Sequence, residues 1–378
     1  MRIAAFYHSL ISDWNHGNAH FLRGVATELL ARGHEVRIYE PADAWSVQHL
    51  LRDHGPGALA AFHRAYPALG SERYARPIPD AELERMLDGA DAVLVHEWND
   101  PALIAQLGQR RARGGRFALL FHDTHHRSVS APEELARFDL QHYDGVLAFG
   151  RAVRDVYLAR GWARRAWIWH EAADTRVFGP RPGAPREGDV AWIGNWGDGE
   201  RSAELRALLI EPIAALGLRA RVHGVRYPDE ARRALAAAGI AYGGWLPNFE
   251  VPDVLARHAV TVHVPRRPYA EALRGVPTIR VFEALACGVP LISALWHDDE
   301  GLFSPGEDYL IARDGAAMRR HLRAVLADPA LAAALAARGR AAILARHTCA
   351  HRVDELLAIL AELGAPAAPA SPAKELAS

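Results

Sequence analysis

Short runs of apolar, β-branched and aromatic residues alternate along the chain with longer segments whose apolar positions recur at helical spacing. Residues 2–7 form the first run, residues 18–33 have the helical spacing, and residues 34–40 form the next run, which predicts one βαβ unit. The same pattern predicts further strands at 91–97, 116–123, 143–150 and 165–171. Because continuous apolar runs are typical of strands buried on both faces, we predict a parallel sheet covered by helices.

A second series of the same kind follows a break in the pattern. Residues 178–188 are rich in Pro and Gly, as a domain linker is. Strands are then predicted at 189–195, 219–224, 240–246, 259–265 and 289–294, and the chain beyond residue 314 is predicted to be mostly helical. The predicted fold is therefore α/β, with two Rossmann-like, doubly wound domains that face a central cleft.

The pattern also predicts where these units begin and end. The first domain is predicted over 1–172 and the second over 173–347, followed by a helix over 348–363. The tail, 364–378, is biased towards Ala and Pro and has no apolar period, so it is predicted to be disordered. Residues 40–80 have no clear period and give no prediction.

Composition excludes several classes of function. The 378 residues carry 44 Lys and Arg against 45 Asp and Glu, so no overall field attracts nucleic acid or an anionic membrane. The only two cysteines, Cys287 and Cys349, form neither a CxxC pair nor a dense spacing, so they indicate neither a disulfide framework nor a metal cluster. No run approaches the length of a membrane span, and the N-terminal apolar run is too short for a signal peptide. We predict a cytoplasmic protein.

Two segments carry a resemblance to a known family. "HEAADTRVFGP" (170–180) resembles the segment that joins the halves of GT-B glycosyltransferases of the family 4 type, and "FEALACGVPLIS" (282–293) resembles their donor-binding helix. Residues from about 90 to 350 are similar to the CgeB-like, spore-maturation-type branch. The resemblance implies a bacterial glycosyltransferase of the hexosyltransferase type. It would move a sugar from a nucleoside-diphosphate-sugar, its co-substrate, held by the second domain, to an unknown glycan, protein or small-molecule acceptor held by the first. The resemblance also implies that the helix over 348–363 crosses back to the first domain.

The donor-binding helix contains an order of charges that packing alone does not explain. Arg280 lies in the first turn, where the helix dipole repels a cation, and Glu283 lies one turn later. If the turn ending at Thr278 exposes backbone amides, a diphosphate bound there would offset the repulsion on Arg280. The resemblance implies that Glu283 binds the ribose hydroxyls. The alternative is an Arg280–Glu283 ion pair that only supports the helix.

Other donor-side candidates are weaker. Gly194 and Gly197, with Arg201 nearby, follow the first strand of the second domain, where backbone can approach a phosphate. Trp245 lies where the resemblance implies contact with the nucleobase, and packing in the core is the alternative. Further candidates for the diphosphate follow other strands or precede Thr278: Arg226, Arg266, Arg267 and Arg274.

In one respect the sequence departs from the family. Family 4 enzymes usually carry a second Glu eight residues before the first, and this chain has Gly275 there, with Glu271 out of register. The identity of the donor sugar and the retaining stereochemistry therefore do not carry over.

The first domain offers candidates at the ends of its strands. Gly17 resembles the glycine turn that brings backbone close to the donor, and Asn18 beside it is a candidate helix N-cap. His122 and Asp123 end one predicted strand, and His96 and Glu97 end its neighbour. The resemblance places His122 beside the transferred sugar, and His122 or Asp123 would be the base in an inverting enzyme. For each, a buried structural role is the alternative.

The sequence raises three further interpretations. The histidines at 122, 125 and 126 suggest a zinc site, but their spacing is not that of a helical ligand pair, and we predict neither a metal nor a cofactor. The second is a nucleotide-sugar epimerase of the same fold, which would need no acceptor. The third is a catalytically inactive nucleotide- or sugar-binding protein, which the glycine at 275 allows.

Overall fold

The computed structural model describes residues 1–365 and contains two parallel β-sheets with helices on both faces. The predicted disordered tail, 364–378, lies outside the described residues except for its first two positions. Among the described residues, no helix has the length and apolar character needed to span a bilayer.

The first sheet has seven strands in the order β3-β2-β1-β4-β5-β6-β7, all paired in parallel. Its strands are β1 (Arg2–Phe6), β2 (Glu35–Pro41), β3 (Glu72–Tyr74), β4 (Ala92–His96), β5 (Ala118–Asp123), β6 (Gly145–Ala148) and β7 (Ala166–Ile168). Its helices are α1 (Ala19–Ala31), α2 (Trp45–His54), α3 (Gly57–Ala65), α4 (Asp80–Leu87), α5 (Pro101–Ala112), α6 (Arg127–Ser130), α7 (Pro132–Leu135) and α8 (Arg151–Ala159).

The second sheet has six strands in the order β10-β9-β8-β11-β12-β13, again all parallel. Its strands are β8 (Gly188–Ile193), β9 (Ala220–His223), β10 (Ile240–Tyr242), β11 (His258–His263), β12 (Leu291–Ala294) and β13 (Leu310–Ala312). Its helices are α9 (Ser202–Leu205), α10 (Glu211–Leu216), α11 (Asp229–Ala237), α12 (Val251–Ala256), α13 (Ile279–Ala286), α14 (Gly315–Ala327), α15 (Pro329–Arg346) and α16 (Cys349–Glu362). Shorter helical turns, two of them π-helical, lie at Arg206–Ile210, Asn248–Glu250 and Pro268–Ala272.

The last helix packs on the first domain. A capping box formed by Thr348 and His351 starts α16, which then lies against α1. Its apolar face is buried there, and Trp169 Nε1 donates to the Arg352 carbonyl at 2.8 Å. One continuous buried cluster therefore runs from α1 through the segment joining the domains to α13 and α16.

Two of the four edge strands, β3 and β13, were not predicted. The eleven strands expected from apolar runs all form. The other two have three residues each: β3 (ERY) has no apolar run, and that of β13 (LIA) is only three residues long. Both lie at an edge of a sheet, where one side of the strand has no neighbour. A short edge strand needs little apolar sequence, which is why the pattern does not indicate it.

Candidate active site

A cavity of about 310 Å³ lies between the carboxyl ends of the two sheets. Residues from five segments at the ends of predicted strands line it: 8–17, 96–100, 122–130, 194–201 and 266–280. Trp45, Phe149 and Glu171, which follow β2, β6 and β7, also line it and were not predicted. A smaller space of about 30 Å³ adjoins it beside the 245–248 segment.

The wall formed by the second domain is strongly cationic. Four arginines line it: Arg201, Arg226, Arg266 and Arg280. Three of them have carboxylate partners, because Arg226 pairs with Asp198 at 3.2 Å, Arg266 with Glu200 at 2.7 Å, and Arg280 with Glu283. Arg267 and Arg274 form their own ion pairs outside the cavity lining.

Arg201 differs from these three arginines. Within the described residues no carboxylate lies within 4 Å of its guanidinium, which donates instead to the carbonyls of Val264 (2.9 Å) and Asn195 (2.5 Å). Its buried Nε has no partner. Burial, and then the charge of Arg266, lower the pKa of Arg201 to about 10. A buried cation without a counterion is costly, so this position favours an anionic ligand.

The start of α13 faces the same cavity through Thr278, Ile279 and Arg280. Ser293 Oγ donates to the Ala294 carbonyl, so it accepts from His263 Nδ1 at 2.8 Å. His263 Nε2 is then the acceptor of the Thr278 hydroxyl at 2.9 Å, and burial lowers the pKa of His263 to about 3. The hydroxyl hydrogen of Thr278 is thereby directed inwards, which leaves oxygen lone pairs for a ligand.

Glu283 lies deeper than Arg280. Its side chain is 1% exposed, and its carboxylate accepts from Arg280, from Asn248 Nδ2 at 3.3 Å and from His20 Nδ1 at 3.0 Å. The predicted ion pair with Arg280 is therefore present, and Arg280 also reaches the cavity. The predicted ribose contact of Glu283 stays a prediction, since a ribose would replace donors that already occupy the carboxylate.

Of the three glycines predicted to let backbone approach the donor, Gly17 and Gly194 line the cavity and Gly197 does not. A Cβ on Gly17 would lie 3.5 Å from Ile279 Cγ2 and 3.6 Å from an Arg280 nitrogen, which are ordinary contacts. The fold would therefore accept alanine at position 17, and its methyl group would take up space at the wall of the cavity. The Gly194 carbonyl accepts from the Tyr227 hydroxyl at 2.9 Å.

Trp245 lines the smaller space, and its indole N–H is already hydrogen-bonded to a residue of the first domain. Trp245 Nε1 donates to Asp13 Oδ1 at 3.0 Å, and the backbone N–H of Asn248 donates to Asp13 Oδ2 at 2.9 Å. Asp13 is itself fixed by the Arg23 guanidinium at 2.9 Å. The nucleobase contact of Trp245 stays a prediction, and a base bound there would compete with Asp13.

The three residues predicted to act on the acceptor lie behind the wall formed by the first domain and do not line the cavity. His96 is fully buried and its Nε2 contacts the Thr124 hydroxyl at 3.2 Å. His122 packs edge-on against Trp169, and burial lowers its pKa to about 3. Asp123 accepts from the Tyr157 hydroxyl at 2.8 Å and from the backbone N–H of His125 at 3.0 Å.

Burial raises the pKa of Asp123 to about 8, with a further contribution from the nearby carboxylate of Glu97. Glu97 is itself buried, accepts from Thr124, and forms an ion pair with Arg127 at 2.5 Å. These contacts give Asp123 and Glu97 structural partners. Their predicted role towards an acceptor stays a prediction.

The histidines at 122, 125 and 126 are not arranged as metal ligands. The rings of His125 and His126 lie 4.0 Å apart and that of His122 packs elsewhere, on Phe21 and Trp169. Over residues 1–365, no set of three His, Cys, Asp or Glu side chains is placed to bind a metal ion.

The structure explains why residue 275 is a glycine. Its φ is +89°, and a Cβ there would lie 2.7 Å from Glu300 Cγ. The Glu300 carboxylate accepts from the backbone N–H of Arg151 at 2.7 Å and contacts His170 Nε2 at 3.1 Å. A carboxylate therefore does lie beside position 275, but it joins the second domain to the first.

Several groups that line the cavity were not assigned to the donor or acceptor chemistry by sequence reasoning. His16 and Asn18 are buried, and neither His16 Nε2 nor the Asn18 amide has a partner. Glu171 is 5% exposed, and burial raises its pKa well above the usual value, as does the charge of Glu283. The rule that ligands bind beyond strand ends would have found all three, since they follow β1 and β7.

Comparison with solved structures identifies the fold as that of GT-B glycosyltransferases. Sucrose-phosphate synthase from Thermosynechococcus elongatus superposes with a TM-score of 0.67 at 17% identity, over 97% of this chain and 99% of that one. HepE of Anabaena in complex with UDP-glucose gives 0.67 at 14% identity, over 96% and 100%. The T4 phage enzyme BGT in complex with UDP-glucose gives 0.60 at 10% identity, over 95% and 99%.

Sequence comparison reaches only part of the chain. Residues 201–358 match the family model described as glycosyl transferase-like, which is less than half of the chain. No curated protein matches significantly. The predicted GT-B fold is thus confirmed, and the family match falls on α9 to α16, including the helix with Arg280 and Glu283.

Proposed function

We propose that this protein is a glycosyltransferase that moves a sugar from a nucleoside-diphosphate-sugar to an acceptor bound by the first domain. The observation that carries the proposal is Arg201, a buried guanidinium without a carboxylate partner in the described chain, on the cavity wall that also holds Arg280 and the start of α13. A diphosphate supplies the missing negative charge, and the backbone amides of α13 add further donors.

The diphosphate is also the leaving group of the proposed reaction. As the bond between the sugar and the phosphate breaks, negative charge grows on the phosphate oxygens, next to Arg201 and Arg280. Fixed cations at that position stabilise the transition state more than the ground state. The arginines and amides would thus supply the charge that a metal ion supplies in other transferases, and we propose activity without an added metal or cofactor.

The identity of the donor is part of the proposal. Solved structures with the same fold contain UDP or UDP-glucose, so uridine nucleotides are the first donors to test. We further propose a cytoplasmic enzyme of the CgeB-like branch, acting as a hexosyltransferase, on the motifs around 170–180 and 282–293 and on the sparse cysteines. No observation favours the epimerase or the inactive binding protein.

The test is calorimetric titration of UDP, GDP, ADP, CDP and dTDP into the wild type, Arg201→Gln and Arg274→Gln. Arg274 forms an exposed ion pair with Asp299 and is the matched control. We expect one nucleotide to bind, with Arg201→Gln weakening it roughly thirtyfold, the loss of one hydrogen bond to a charged group, and Arg274→Gln leaving it unchanged. Absence of binding by every nucleotide would contradict the proposal.

A second variant separates the site from the fold. Gly17→Ala adds a methyl group at ordinary contact distances, so we expect wild-type melting with weaker binding of the nucleotide-sugar. Turnover is then measured as nucleotide release that depends on added acceptor, with and without a chelator. Release that proceeds equally without any acceptor would identify a hydrolase and not a transferase.

A further inference from the structure

The two walls of the cavity differ in chemistry. All four arginines that line it belong to the second domain, whereas no Arg or Lys of the described first domain does so. The first domain contributes instead two tryptophans and several neutral polar side chains: Trp45, Trp98, His16, Asn18, Thr124 and His125. Glu171, buried after β7, is the one carboxyl that the described first domain adds to the lining. A ligand that spans the cavity therefore meets four arginines at one end and an aromatic surface without Arg or Lys at the other.

Sheet topology explains why these groups lie together. His16 and Asn18 follow β1, Trp45 follows β2, and Trp98 follows β4. The strands β2, β1 and β4 are adjacent in the sheet, so the three loops leave the same edge side by side.

Both tryptophans have a supported ring. The Arg127 guanidinium lies 3.9 Å from the centroid of the Trp98 indole. The ring of His8 stacks on Trp45 with centroids 4.7 Å apart and an interplanar angle of 30°. Each indole is only partly buried although these neighbours hold it in place. Supported, partly exposed indoles are suited to stacking on a flat, weakly polar ligand.

The same wall carries polar groups that lack partners. Asn18 is 9% exposed, and neither its amide nitrogen nor its amide oxygen forms a hydrogen bond. His16 Nε2 and His125 Nδ1 are likewise buried without a partner. Buried polar atoms are nearly always satisfied in folded proteins, so three such side chains around one cavity indicate a ligand with several hydroxyl groups.

We infer that the acceptor is itself a carbohydrate, with an uncharged pyranose ring stacked on Trp98 and Trp45 and its hydroxyls bonded to Asn18, His16 and His125. This inference rests on the proposed function, which assigns the cationic wall to the donor. A pyranose has an apolar C–H face and a rim of hydroxyls, which matches an indole surface bordered by unpaired amide and imidazole groups. A phosphorylated or otherwise anionic acceptor finds no Arg or Lys of the described first domain in the lining, since Arg127 behind Trp98 is paired with Glu97 and Glu134.

The test uses saturation-transfer NMR on the full chain, loaded with the nucleotide that the titrations identify. The probes are methyl pyranosides of neutral hexoses, hexose 6-phosphates, uridine and a serine-containing peptide. We expect saturation of the ring protons of at least one neutral pyranoside. We expect Trp98→Leu to weaken the binding of that pyranoside by roughly tenfold, the effect of one aromatic contact. The affinity for the nucleotide should not change.

Two further variants make the result specific. Trp162→Leu is the matched control, because Trp162 lies in the same domain and does not line the cavity. Its ring also has an arginine over it, with the Arg160 guanidinium carbon 5.7 Å from the ring centroid. Trp45→Leu provides a second measurement if Trp98→Leu fails to fold, as judged by its melting. An equal loss of nucleotide-sugar affinity in Trp98→Leu would assign the wall to the donor sugar and overturn the inference.

The remaining outcomes are also decisive. Binding of uridine or the peptide but of no neutral pyranoside overturns the inference while leaving the proposed function intact, as does binding of none of the probes to the nucleotide-loaded protein. If no nucleotide binds at all, the proposed function fails first, and the inference fails with it.

Discussion

His20 of the first domain and Glu283 of the second are joined by a hydrogen bond of 3.0 Å between two fully buried side chains. The backbone N–H of Asp174 donates to His20 Nε2 at 2.8 Å, so the hydrogen of the imidazole is on Nδ1 and is donated to the carboxylate. The residue predicted to hold the ribose thus also holds the two domains together.

Replacing Glu283 should therefore destabilise the protein before any nucleotide is added. Glu283→Ala removes the acceptor of Arg280, His20 and Asn248, and takes this carboxylate partner from two buried side chains, His20 and Asn248, and from the partly exposed Arg280. We expect the free energy of unfolding to fall by roughly 3–5 kcal/mol, the cost of breaking a buried ion pair. Urea unfolding measures this. Glu187→Ala, which removes an exposed pair with Arg257, is the control and should change little.

The loss of stability at low pH should also depend on Glu283. Burial alone would raise its pKa, but Arg280 and His20 outweigh burial and lower the pKa below 4.5. A carboxyl whose pKa is lower in the folded state stabilises the protein above its unfolded pKa, and this contribution is lost as the pH falls through the folded value. Below about pH 4.5, the wild type should therefore lose stability faster than Glu283→Gln. Parallel curves for the two proteins would show that the carboxylate is not ionised in the fold.

For Asp123 we expect the opposite dependence of stability on pH. Burial, and then Glu97, raise its pKa from 3.8 to about 8, so the folded state keeps a proton that the unfolded state loses. Between these values the free energy of unfolding should fall with rising pH, by at most about 1.4 kcal/mol per pH unit. Asp123→Asn should remove this slope. Chemical unfolding at pH 5, 6, 7 and 8 measures it, with Asp155→Asn, at an exposed ion pair, as the control.

Gly275 should resist substitution for two reasons that can be separated. Gly275→Ala combines a left-handed backbone, which costs roughly 1–2 kcal/mol, with a contact at 2.7 Å to Glu300 Cγ. Gly239→Ala has a similar φ, +69°, but open space around its Cβ, so it measures the backbone cost alone. We expect Gly275→Ala to be the more destabilising. Equal losses in thermal unfolding would mean that Glu300 moves aside freely.

The helix α16 should contribute to the stability of the first domain. Leu356 is fully buried in the cluster shared with α1, so Leu356→Ala should cost roughly 2–5 kcal/mol. Hydrogen exchange should show the loss of protection in α1 as well as in α16. Ala358→Ser, on the exposed face, is the control. A chain that ends before Thr348 and melts like the wild type would refute this role.

The sequence predicts the fold far better than it predicts the site. A buried parallel strand such as β5 needs a continuous apolar run, and that requirement can be seen in residues 118–123 alone. The fate of His122 and Asp123 at its end depends on Trp169 and Tyr157, which reach them only through the tertiary fold. Strand ends indicate which loops form a cleft, but they do not show which side chains point into it.

Arg201 and Glu283 illustrate the same limit on the donor side. Arg280, which the order of charges in α13 singles out, lines the cavity. The sequence does not show that His20, from the other domain, occupies the Glu283 carboxylate. Nor does it show that Arg201 is the buried arginine without a carboxylate partner in the described chain, because ion pairing depends on distances between distant segments.

The packing of α16 on α1 has a consequence for synthesis of the protein on the ribosome. The helix that covers Leu22 and Val25 in the first domain is the last helix of the described chain, more than 300 residues downstream. Domains generally fold in the order in which they emerge. Here the amino-terminal domain keeps an uncovered apolar face until the carboxyl-terminal helix leaves the exit tunnel, so a nascent chain stalled inside the second domain would expose that face to chaperones.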